Sequence, residues 1–367
     1  MKIKILDKAR TIMSNPNGIL KYFGWPSVTL LQNGKIAVSA SGLRYAHVCP
    51  FGKGVVSFSE DGGKTYTPPC VVIDTPLDDR DTGIVAFGKS SVIVTSFNNT
   101  VQFQRDAINN ADRTRMYQSS AFAEAYLDMI DEEDEKRYLG SEFRFSHDCG
   151  ITFGPLYKSP ITSPHGPVEL HDGTLLWVGR TFSKDDSVQE NDAVKAYAVH
   201  MDGSMTYRGA IPAVYRDGKK ILSCEPHTIE LADGTLLCHI RVQAGAPRIF
   251  TVYQAISEDR GFTWSQPQQV LEDIGGAPAH LVRHSAGVIL SVYGYREKPY
   301  GIRFIYSADG GKSWSAPHPL FEDGQNGDIG YPCTVELPNG DLLTVFYAYE
   351  SEQGAAVIKQ TIWRIED

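Results

Sequence analysis

The chain has 367 residues, of which 42% are hydrophobic and 22% charged, the balance of an ordinary globular protein. Its net charge of −9 argues against nucleic-acid binding and attracts no anion from a distance, so an anion site has to be a local cluster of cations. No stretch has the character of a signal peptide or a membrane span, and the six cysteines form no CxxC pair. We expect a cytoplasmic protein with free thiols, or a secreted one if a leader has been removed.

Two apolar strands joined by a tight turn recur six times along the chain. Most of the turns contain Asn-Gly or Asp-Gly, which favour the positive φ angles of β-hairpins. The six hairpins span residues 25–44, 81–97, 165–180, 225–241, 278–296 and 331–350. Because their spacing suits one four-stranded blade per hairpin, the sequence predicts an all-β, six-bladed β-propeller that forms a single domain over residues 1–367.

A second pattern, Ser-x-Asp-x-Gly-x-Thr/Ser-aromatic, recurs four times and supports the same fold. The Asp side chain can bond nearby backbone N–H groups, the Gly supplies a positive φ, and the aromatic ring packs beneath the turn. The four copies are residues 59–66, 146–153, 257–264 and 307–314. We also expect the N-terminal segment KIKILDKAR to pair with the C-terminal segment VIKQTIWRIED, which would close the ring and remove free sheet edges.

Residues 98–142 interrupt the repeat between the second and third hairpins. Within them, the stretch AFAEAYLDMIDEEDEKRYL has apolar residues at helical spacing and an acidic run. We therefore predict a helical insertion between blades two and three. Its role is open between a solvated excursion, a rim of the active site, and a contact through which copies of the chain form a homo-oligomer.

In a propeller, the first strands start and the second strands end on the same face of the ring, around the central channel. The predicted first-strand starts carry Trp25, Asp81, His165, Glu225, His280 and Tyr331. The predicted second-strand ends carry Arg44, Arg180, Arg241, Arg296 and Glu350. A single Arg is well explained by a salt bridge, but four at matching places repel one another unless an anion lies between them. A ligand with a carboxylate or sulfate would suit such guanidinium groups.

The Asp-containing turns, the six units and five of these residues together resemble the sialidase (neuraminidase) superfamily of six-bladed propellers, with this chain as a divergent member. The five residues are Glu225, Arg241, Arg296, Tyr331 and Glu350. The resemblance covers nearly the whole chain except the insertion. It implies that Tyr331 is a nucleophile with Glu225 as its base, as in the Tyr-dependent sialidases. It also implies that Arg241 and Arg296 bind a substrate carboxylate and that Glu350 orients an Arg.

Two places depart from the sialidase pattern. No Arg precedes the Trp-Pro pair at residues 25–26, where the family has the first Arg of its triad, and loop 40–47 lacks the acid/base Asp of the family. The expected replacements are Arg44 or Arg180 for the cation and His47 or Asp81 for the acid. For the third Arg of the triad, Arg303 is the alternative to Arg296.

Aromatic and histidine side chains near the channel allow more than one interpretation. Trp25 is expected either to stack on a sugar face or to line the channel. His165, His227 and His280 fall at or near channel-facing positions. They are expected to be structural residues with their hydrogen bonds made, or to supply the acid or base of a glycosidase or lyase. A third interpretation is that they bind a metal ion.

The sequence thus predicts a sialidase-like exo-glycoside hydrolase that acts on an acidic sugar or glycan, without a metal or other cofactor and without nucleic-acid or membrane partners. A 2-keto-acid sugar has its carboxylate on the anomeric carbon, so a neutral Tyr avoids the repulsion that a carboxylate nucleophile would meet. One alternative is a propeller that binds acidic glycans without hydrolysing them. The other is a glycosidase or lyase that acts on uronic-acid glycans through a channel histidine.

Overall fold

Six antiparallel sheets follow one another along the part of the chain that the structure describes, and the first strands of neighbouring sheets contact one another around a central axis. The structure is a computed structural model that describes residues 1–109, 120–181, 194–244, 249–271, 275–352 and 354–366. The predicted all-β, six-bladed propeller is confirmed.

The first three blades are built from the first half of the chain. Blade one consists of Tyr22–Leu30, Ile36–Arg44, Lys53–Ser59 and Cys70–Ile73. Blade two consists of Arg80–Phe87, Ser91–Phe97, Ser141–Ser146 and Leu156–Ser159. Blade three consists of Val168–Glu169, Leu175–Thr181, Val194–Val199 and Met205–Ala210, and Ile161–Thr162 also pairs with its second strand.

The remaining blades follow after a small hairpin of Tyr215–Arg216 and Lys219–Lys220. Blade four consists of Leu222–Glu230, Leu236–Ala244, Ile249–Ser257 and Gln268–Gln269. Blade five consists of Gly276–Arg283, Ile289–Tyr295, Gly301–Ser307 and His318–Phe321. Blade six consists of Gly330–Glu336, Leu342–Tyr349 and Ala356–Glu366, with the N-terminal strand Lys2–Met13 as its outermost member.

The two ends of the chain close the ring within blade six, as predicted. Lys2–Met13 runs antiparallel to Ala356–Glu366, with Lys2 opposite Glu366 and Thr11 opposite Lys359. The N-terminal strand therefore covers the edge that blade six would otherwise expose.

The predicted insertion is helical, with α1 at Val101–Asn109, α2 at Ser120–Leu127 and α3 at Glu132–Tyr138. Asp131 caps the N-terminus of α3 by accepting a hydrogen bond from the backbone N–H of Asp134. The helices join the second strand of blade two to its third strand. The insertion thus belongs to blade two itself, rather than to the connection between blades two and three.

The four Asp-containing turns join the third strand to the fourth in blades one, two, four and five. In the first, the Ser59 and Thr65 hydroxyls donate to the Asp61 carboxylate at 2.8 and 2.6 Å, and the Gly63 N–H donates to Ser59 Oγ at 2.9 Å. Third strands end on the face opposite the second-strand ends, so these turns lie away from the candidate site. They stabilise the fold.

Hydrophobic clusters lie mostly between neighbouring blades. One cluster joins Val38 and Val55 of blade one to Val345 and Tyr347 of blade six. Burial of each such aliphatic side chain contributes roughly 1.5–3 kcal/mol, so this packing fixes one blade against the next. The six cysteines are free thiols, as predicted. Among the described residues, every helix is too short and too polar to cross a membrane.

Candidate active site

The first strands of five blades carry a bulge close to where they begin. In four of them the bulge holds a non-glycine residue with a positive φ: 53° at Trp25, 46° at Asp81, 48° at Glu225 and 49° at Tyr331. Such a backbone conformation costs of order 1–3 kcal/mol and is held by its surroundings. Bulges of this kind re-aim side chains, and here they turn four of the predicted site residues out of the regular strand alternation.

Three side chains from blades four and six meet directly. The Tyr331 hydroxyl donates to Glu225 Oε1 at 2.6 Å, and Arg241 Nη1 donates to Glu225 Oε2 at 2.5 Å. Arg241 Nη1 also lies 3.3 Å from the Tyr331 oxygen, toward which it donates. We call this group, Glu225, Arg241 and Tyr331, the central triad.

The electrostatics of the central triad define a neutral phenol beside an ionised carboxylate. Burial by itself would raise the pKa of Glu225, but the charge of Arg241 and the hydrogen bonds from Arg241 and Tyr331 outweigh it, so the pKa lies below its usual value. Burial and the neighbouring Glu225 raise the pKa of Tyr331 well above its usual value. The phenol therefore carries its proton and shares it with a carboxylate that is ready to accept it.

Asp81 is the second carboxyl group of the site. It is almost completely buried, and desolvation together with the charge of Glu225 raises its pKa to about 7. A carboxyl group with this pKa is suited to both proton donation and proton acceptance near neutral pH.

A cavity of about 180 Å³ adjoins Asp81 and the central triad between blades two, three and four. Its charged lining consists of Asp81, Arg180, Glu225 and Arg241, and its neutral polar lining includes Asn99, Thr162, Ser163 and Gln243. Arg180 thus lies at the same cavity as Arg241, as the repeat predicted. The buried Nε of Arg241 has no hydrogen-bond partner among the described residues.

Two further arginines border the triad. The half-buried Arg296 donates from Nε to the Ile329 carbonyl at 2.9 Å, and its guanidinium carbon lies 5.7 Å from the centroid of the Tyr331 ring. Arg80 was missed by the sequence reasoning. Its guanidinium lies 4.3 Å from the Trp25 ring centroid, and the Asp78 and Asp81 carboxylates outweigh its desolvation and raise its pKa.

Trp25 forms a wall of the site rather than an open platform for a sugar ring. It is 1% exposed, and its ring lies 6.4 Å from that of Tyr331 and 4.9 Å from that of His47. Of the two roles expected for it, the structure favours channel lining.

Arg44 does not reach the site as an open cation. It is fully buried, pairs with Asp78 at 2.5 Å and donates to the carbonyls of Ala46 and His47. The physical reason is strand register. In blade four, Arg241 pairs with Cys224, directly before Glu225. In blade one, Ser41 has the matching place opposite Gly24, and Arg44 lies three residues further along, opposite Tyr22. The expected role of Arg44 in a carboxylate clamp is therefore replaced by a structural one.

Glu350 and Arg303 also lie outside the site. Glu350 is exposed and accepts a hydrogen bond from Thr11 of the N-terminal strand at 2.6 Å, which leaves it no arginine of the site to orient. Arg303 stacks on the ring of Tyr295 and lies 3.5 Å from Glu322. Of the two candidates for the third arginine, Arg296 is the one beside Tyr331.

The three predicted histidines do converge, and they are packed against one another. The ring centroids of His227 and His280 are 4.0 Å apart, and that of His165 lies 5.6 and 5.0 Å from them. Desolvation lowers the pKa of all three, that of His165 to about 3, so the rings are neutral. No group of three or more His, Cys, Asp or Glu residues within the described ranges is arranged to hold a metal ion.

His47 packs edge-on against Trp25 and is bonded to a carboxylate that the sequence reasoning missed. Its Nδ1 is 3.1 Å from Asp328 Oδ1 and 3.1 Å from the Tyr22 hydroxyl. Two sequence signals could have found the missed residues. Asp328 stands three residues before Tyr331, and Arg80 directly precedes Asp81 in an Asp-Asp-Arg-Asp run.

The model of the BNR repeat-like domain family matches residues 129–344, more than half of the chain. No curated protein matches the sequence. Among solved structures, a Dyadobacter fermentans protein of unknown function is similar at 22% identity, with a TM-score of 0.76 and 99% of each chain covered. An intramolecular trans-sialidase from Ruminococcus gnavus, in complex with oseltamivir carboxylate, is similar at 14% identity, with a TM-score of 0.65 and 97% of each chain covered. The α-L-arabinanase of Penicillium chrysogenum is similar at 12% identity, with a TM-score of 0.65 and 98% of each chain covered.

Proposed function

Because this chain belongs to the BNR repeat-like domain family and carries the central triad in its propeller, we propose that it is an exo-acting glycoside hydrolase for a sugar that bears a carboxylate. The observation that carries the proposal is the 2.6 Å hydrogen bond from the Tyr331 hydroxyl to Glu225, beside Arg241. A neutral phenol with an ionised base at hydrogen-bond distance is what a sugar with a carboxylate on its anomeric carbon requires of a nucleophile.

In the first step, the Tyr331 oxygen forms a bond to the anomeric carbon while the glycosidic C–O bond breaks. The phenolic proton passes to Glu225 Oε1. Because the pKa of Tyr331 lies well above its usual value, the proton leaves in concert with the attack, rather than before it. Glu225 is ionised in the resting site and is free to accept it.

Asp81 is the proposed acid for the leaving group. Its pKa of about 7 leaves it largely protonated below neutral pH, and its proton goes to the glycosidic oxygen as that bond breaks. Below neutral pH the two carboxyl groups thus hold opposite protonation states in the resting site. Glu225 is kept ionised by Arg241, and Asp81 is kept neutral by burial and by the charge of Glu225.

The substrate class is proposed from the cations around the triad. Arg241, Arg296 and Arg80 surround Tyr331 and would take a carboxylate in paired hydrogen bonds. Arg180 and the neutral polar groups of the adjoining cavity would bind hydroxyl groups of the same sugar.

The test is turnover of a panel of fluorogenic glycosides of sialic acid, of uronic acids and of neutral sugars. We expect hydrolysis of one of the acidic glycosides, a loss of about 10³-fold or more in Tyr331→Phe and of about 10²–10⁴-fold in Glu225→Gln. The matched controls are Tyr207→Phe and Glu350→Gln, which alter exposed residues and should keep the wild-type rate.

Two results would contradict the proposal. If the wild-type protein binds acidic sugars in a calorimeter but hydrolyses none of them, the chain is a glycan-binding propeller. If the rate survives in Tyr331→Phe but is lost in His165→Ala or His280→Ala, the chemistry passes through the channel histidines instead.

A further inference from the structure

Four polar side chains form a hydrogen-bonded group beside Trp25. Arg296 Nη2 donates to the Tyr347 hydroxyl of this group at 3.3 Å and so connects it to the surroundings of Tyr331. Asp328 accepts from the Tyr347 hydroxyl at 2.8 Å and from the Tyr22 hydroxyl at 3.0 Å. His47 Nδ1 lies 3.1 Å from Asp328 Oδ1 and equally far from the Tyr22 oxygen. These contacts tie a loop of blade one, which carries His47, to the segment just before blade six.

The hydrogen bonds fix the tautomer of His47. Burial by itself would raise the pKa of Asp328. The interaction with His47 and the hydrogen bond from Tyr347 outweigh the effect of burial, so the pKa lies well below its usual range. Asp328 is therefore ionised, and it can only accept hydrogen bonds. The Tyr22 proton is donated to Asp328, which leaves the Tyr22 oxygen as an acceptor too. His47 Nδ1 therefore carries the proton, and Nε2 carries the lone pair.

The backbone beneath His47 is held from the opposite side. Arg44 Nη2 and Arg80 Nη1 both donate to the His47 carbonyl, at 2.8 and 2.9 Å. The His47 ring stands edge-on to Trp25, and its side chain is 33% exposed. Both hydrogen bonds of the ring go through Nδ1, and no residue in the described ranges bonds Nε2, so its lone pair is left for a small molecule.

We propose that His47 and Asp328 form a second proton-transfer pair, in which Asp328 is the positioning residue and His47 Nε2 activates the water or sugar hydroxyl that releases the product. This role rests on the proposed function. The incoming oxygen forms a bond to the anomeric carbon, the bond from that carbon to the Tyr331 oxygen breaks, and the proton of the incoming hydroxyl goes to His47 Nε2. Tyr331 regains its proton from Glu225. His47 then gives its extra proton to solvent, and Asp81, left ionised by the first step, takes one from solvent before the next turnover.

The charges around His47 agree with a base rather than an acid. Desolvation, opposed by Asp328 and aided by Arg80 and Arg44, lowers the pKa of His47 from 6.5. At neutral pH the ring is thus uncharged with an accepting Nε2. Asp81, which gives its proton to the leaving group, then need not be the group that takes a proton from the incoming oxygen.

The positioning of His47 is tested first without any substrate. Nitrogen-15 NMR of the histidine rings should show His47 as the Nδ1–H tautomer in the wild-type protein and in the control Asp323→Asn, which alters an exposed carboxylate of the same segment. Asp328→Asn should move His47 toward the Nε2–H tautomer or a mixture. An unchanged tautomer in Asp328→Asn would overturn the positioning role.

The catalytic half is tested by rapid mixing with the acidic fluorogenic glycoside. If His47 acts in the second step, His47→Gln should release one equivalent of fluorophore in a burst and then turn over at least tenfold more slowly, while His200→Gln, an exposed histidine, keeps the wild-type course. Added azide, a nucleophile that needs no base, should restore the slow phase. If the burst and the steady-state rate of His47→Gln fall by the same factor, His47 is not the base of the second step.

If the wild-type protein hydrolyses no acidic glycoside, the proposed function and the base role of His47 both fail. The NMR experiment still decides whether Asp328 positions His47.

Discussion

The Tyr331 hydroxyl bonds Glu225 at 2.6 Å across the ring, from blade six to blade four. The two residues are 106 positions apart in the sequence, and both lie in bulges with positive φ. This contact orders a nucleophile and its base in the absence of any substrate, and several consequences of it can be measured.

Turnover should depend on pH through two carboxyl groups with opposite requirements. Asp81 has to be protonated, so kcat/KM should fall about tenfold per pH unit as the pH rises above about 7. Glu225 has to be ionised, so the rate should also fall at acidic pH, below the usual Glu pKa of 4.5. The measurement is kcat/KM from pH 4 to 9. If kcat/KM of Asp81→Asn still decreases above the same pH, the alkaline decrease is due to a group other than Asp81.

Removal of the Asp81 charge should stabilise the fold at alkaline pH. The folded pKa of about 7 exceeds the unfolded value of 3.8, so the folded state binds the proton more tightly, and stability is lost as the pH rises from about 4 to 7. At 1.36 kcal/mol per unit, this shift corresponds to about 4 kcal/mol. Thermal unfolding of Asp81→Asn should therefore show a higher Tm than the wild-type protein at pH 8 and a similar Tm at pH 4. Equal gains at both pH values would show that the pKa of Asp81 is not raised.

The three packed histidines should make the fold sensitive to acid. The pKa of His165 is lowered from 6.5 to about 3, so its contribution to stability is complete above pH 6.5 and is lost as the pH falls toward 3. Each pH unit in that window costs about 1.4 kcal/mol for this one group. The variant His165→Gln, which does not titrate, should lose less stability between pH 7 and 4 than the wild-type protein in urea unfolding. His200→Gln serves as the exposed control, and identical pH dependence in all three proteins would refute the prediction.

Arg44 should matter for folding more than for substrate affinity. Arg44→Ala removes the closer of the two arginines that pair with the buried Asp78 and leaves Arg80 at 3.2 Å. Removal of one partner from a buried ion pair typically costs about 3–5 kcal/mol. Arg260→Ala breaks an exposed pair with Asp172 and should cost at most about 1 kcal/mol. Urea unfolding of both variants measures the difference. A stable Arg44→Ala protein with a raised KM would return Arg44 to the carboxylate clamp.

The repeat in the sequence was enough to predict the fold and the part of the site that repeats with it. Asp81, Glu225 and Tyr331 were found because they stand at matching starts of first strands, and Arg241 because it stands at the end of a second strand, 16 residues after Glu225. The same rule failed for Arg44, because Ser41 has the matching place opposite Gly24, and Arg44 lies beyond a further bulge, opposite Tyr22. Bulges depend on contacts between blades, and a hydrophobic pattern does not reveal them.

Residues outside the repeat were harder to place. Asp328 lies in the segment before blade six, and its partners Tyr22 and His47 come from the other end of the chain. Glu350 was assigned to the site because it follows a second strand, but the N-terminal strand that closes the ring draws it toward Thr11. Both outcomes depend on pairing between residues roughly 300 positions apart, which a single sequence does not specify.

The most direct test of the central claim is to trap the covalent intermediate. A 2-keto-acid sugar with fluorine beside the anomeric carbon and a fluoride leaving group would form the glycosyl–enzyme quickly and release it slowly, so peptide mass mapping can locate the sugar. We expect one sugar per chain on Tyr331 in the wild-type protein, much slower labelling in Glu225→Gln and none in Tyr331→Phe. Labelling of Asp81, or of no residue while the same glycosides are hydrolysed, would contradict it.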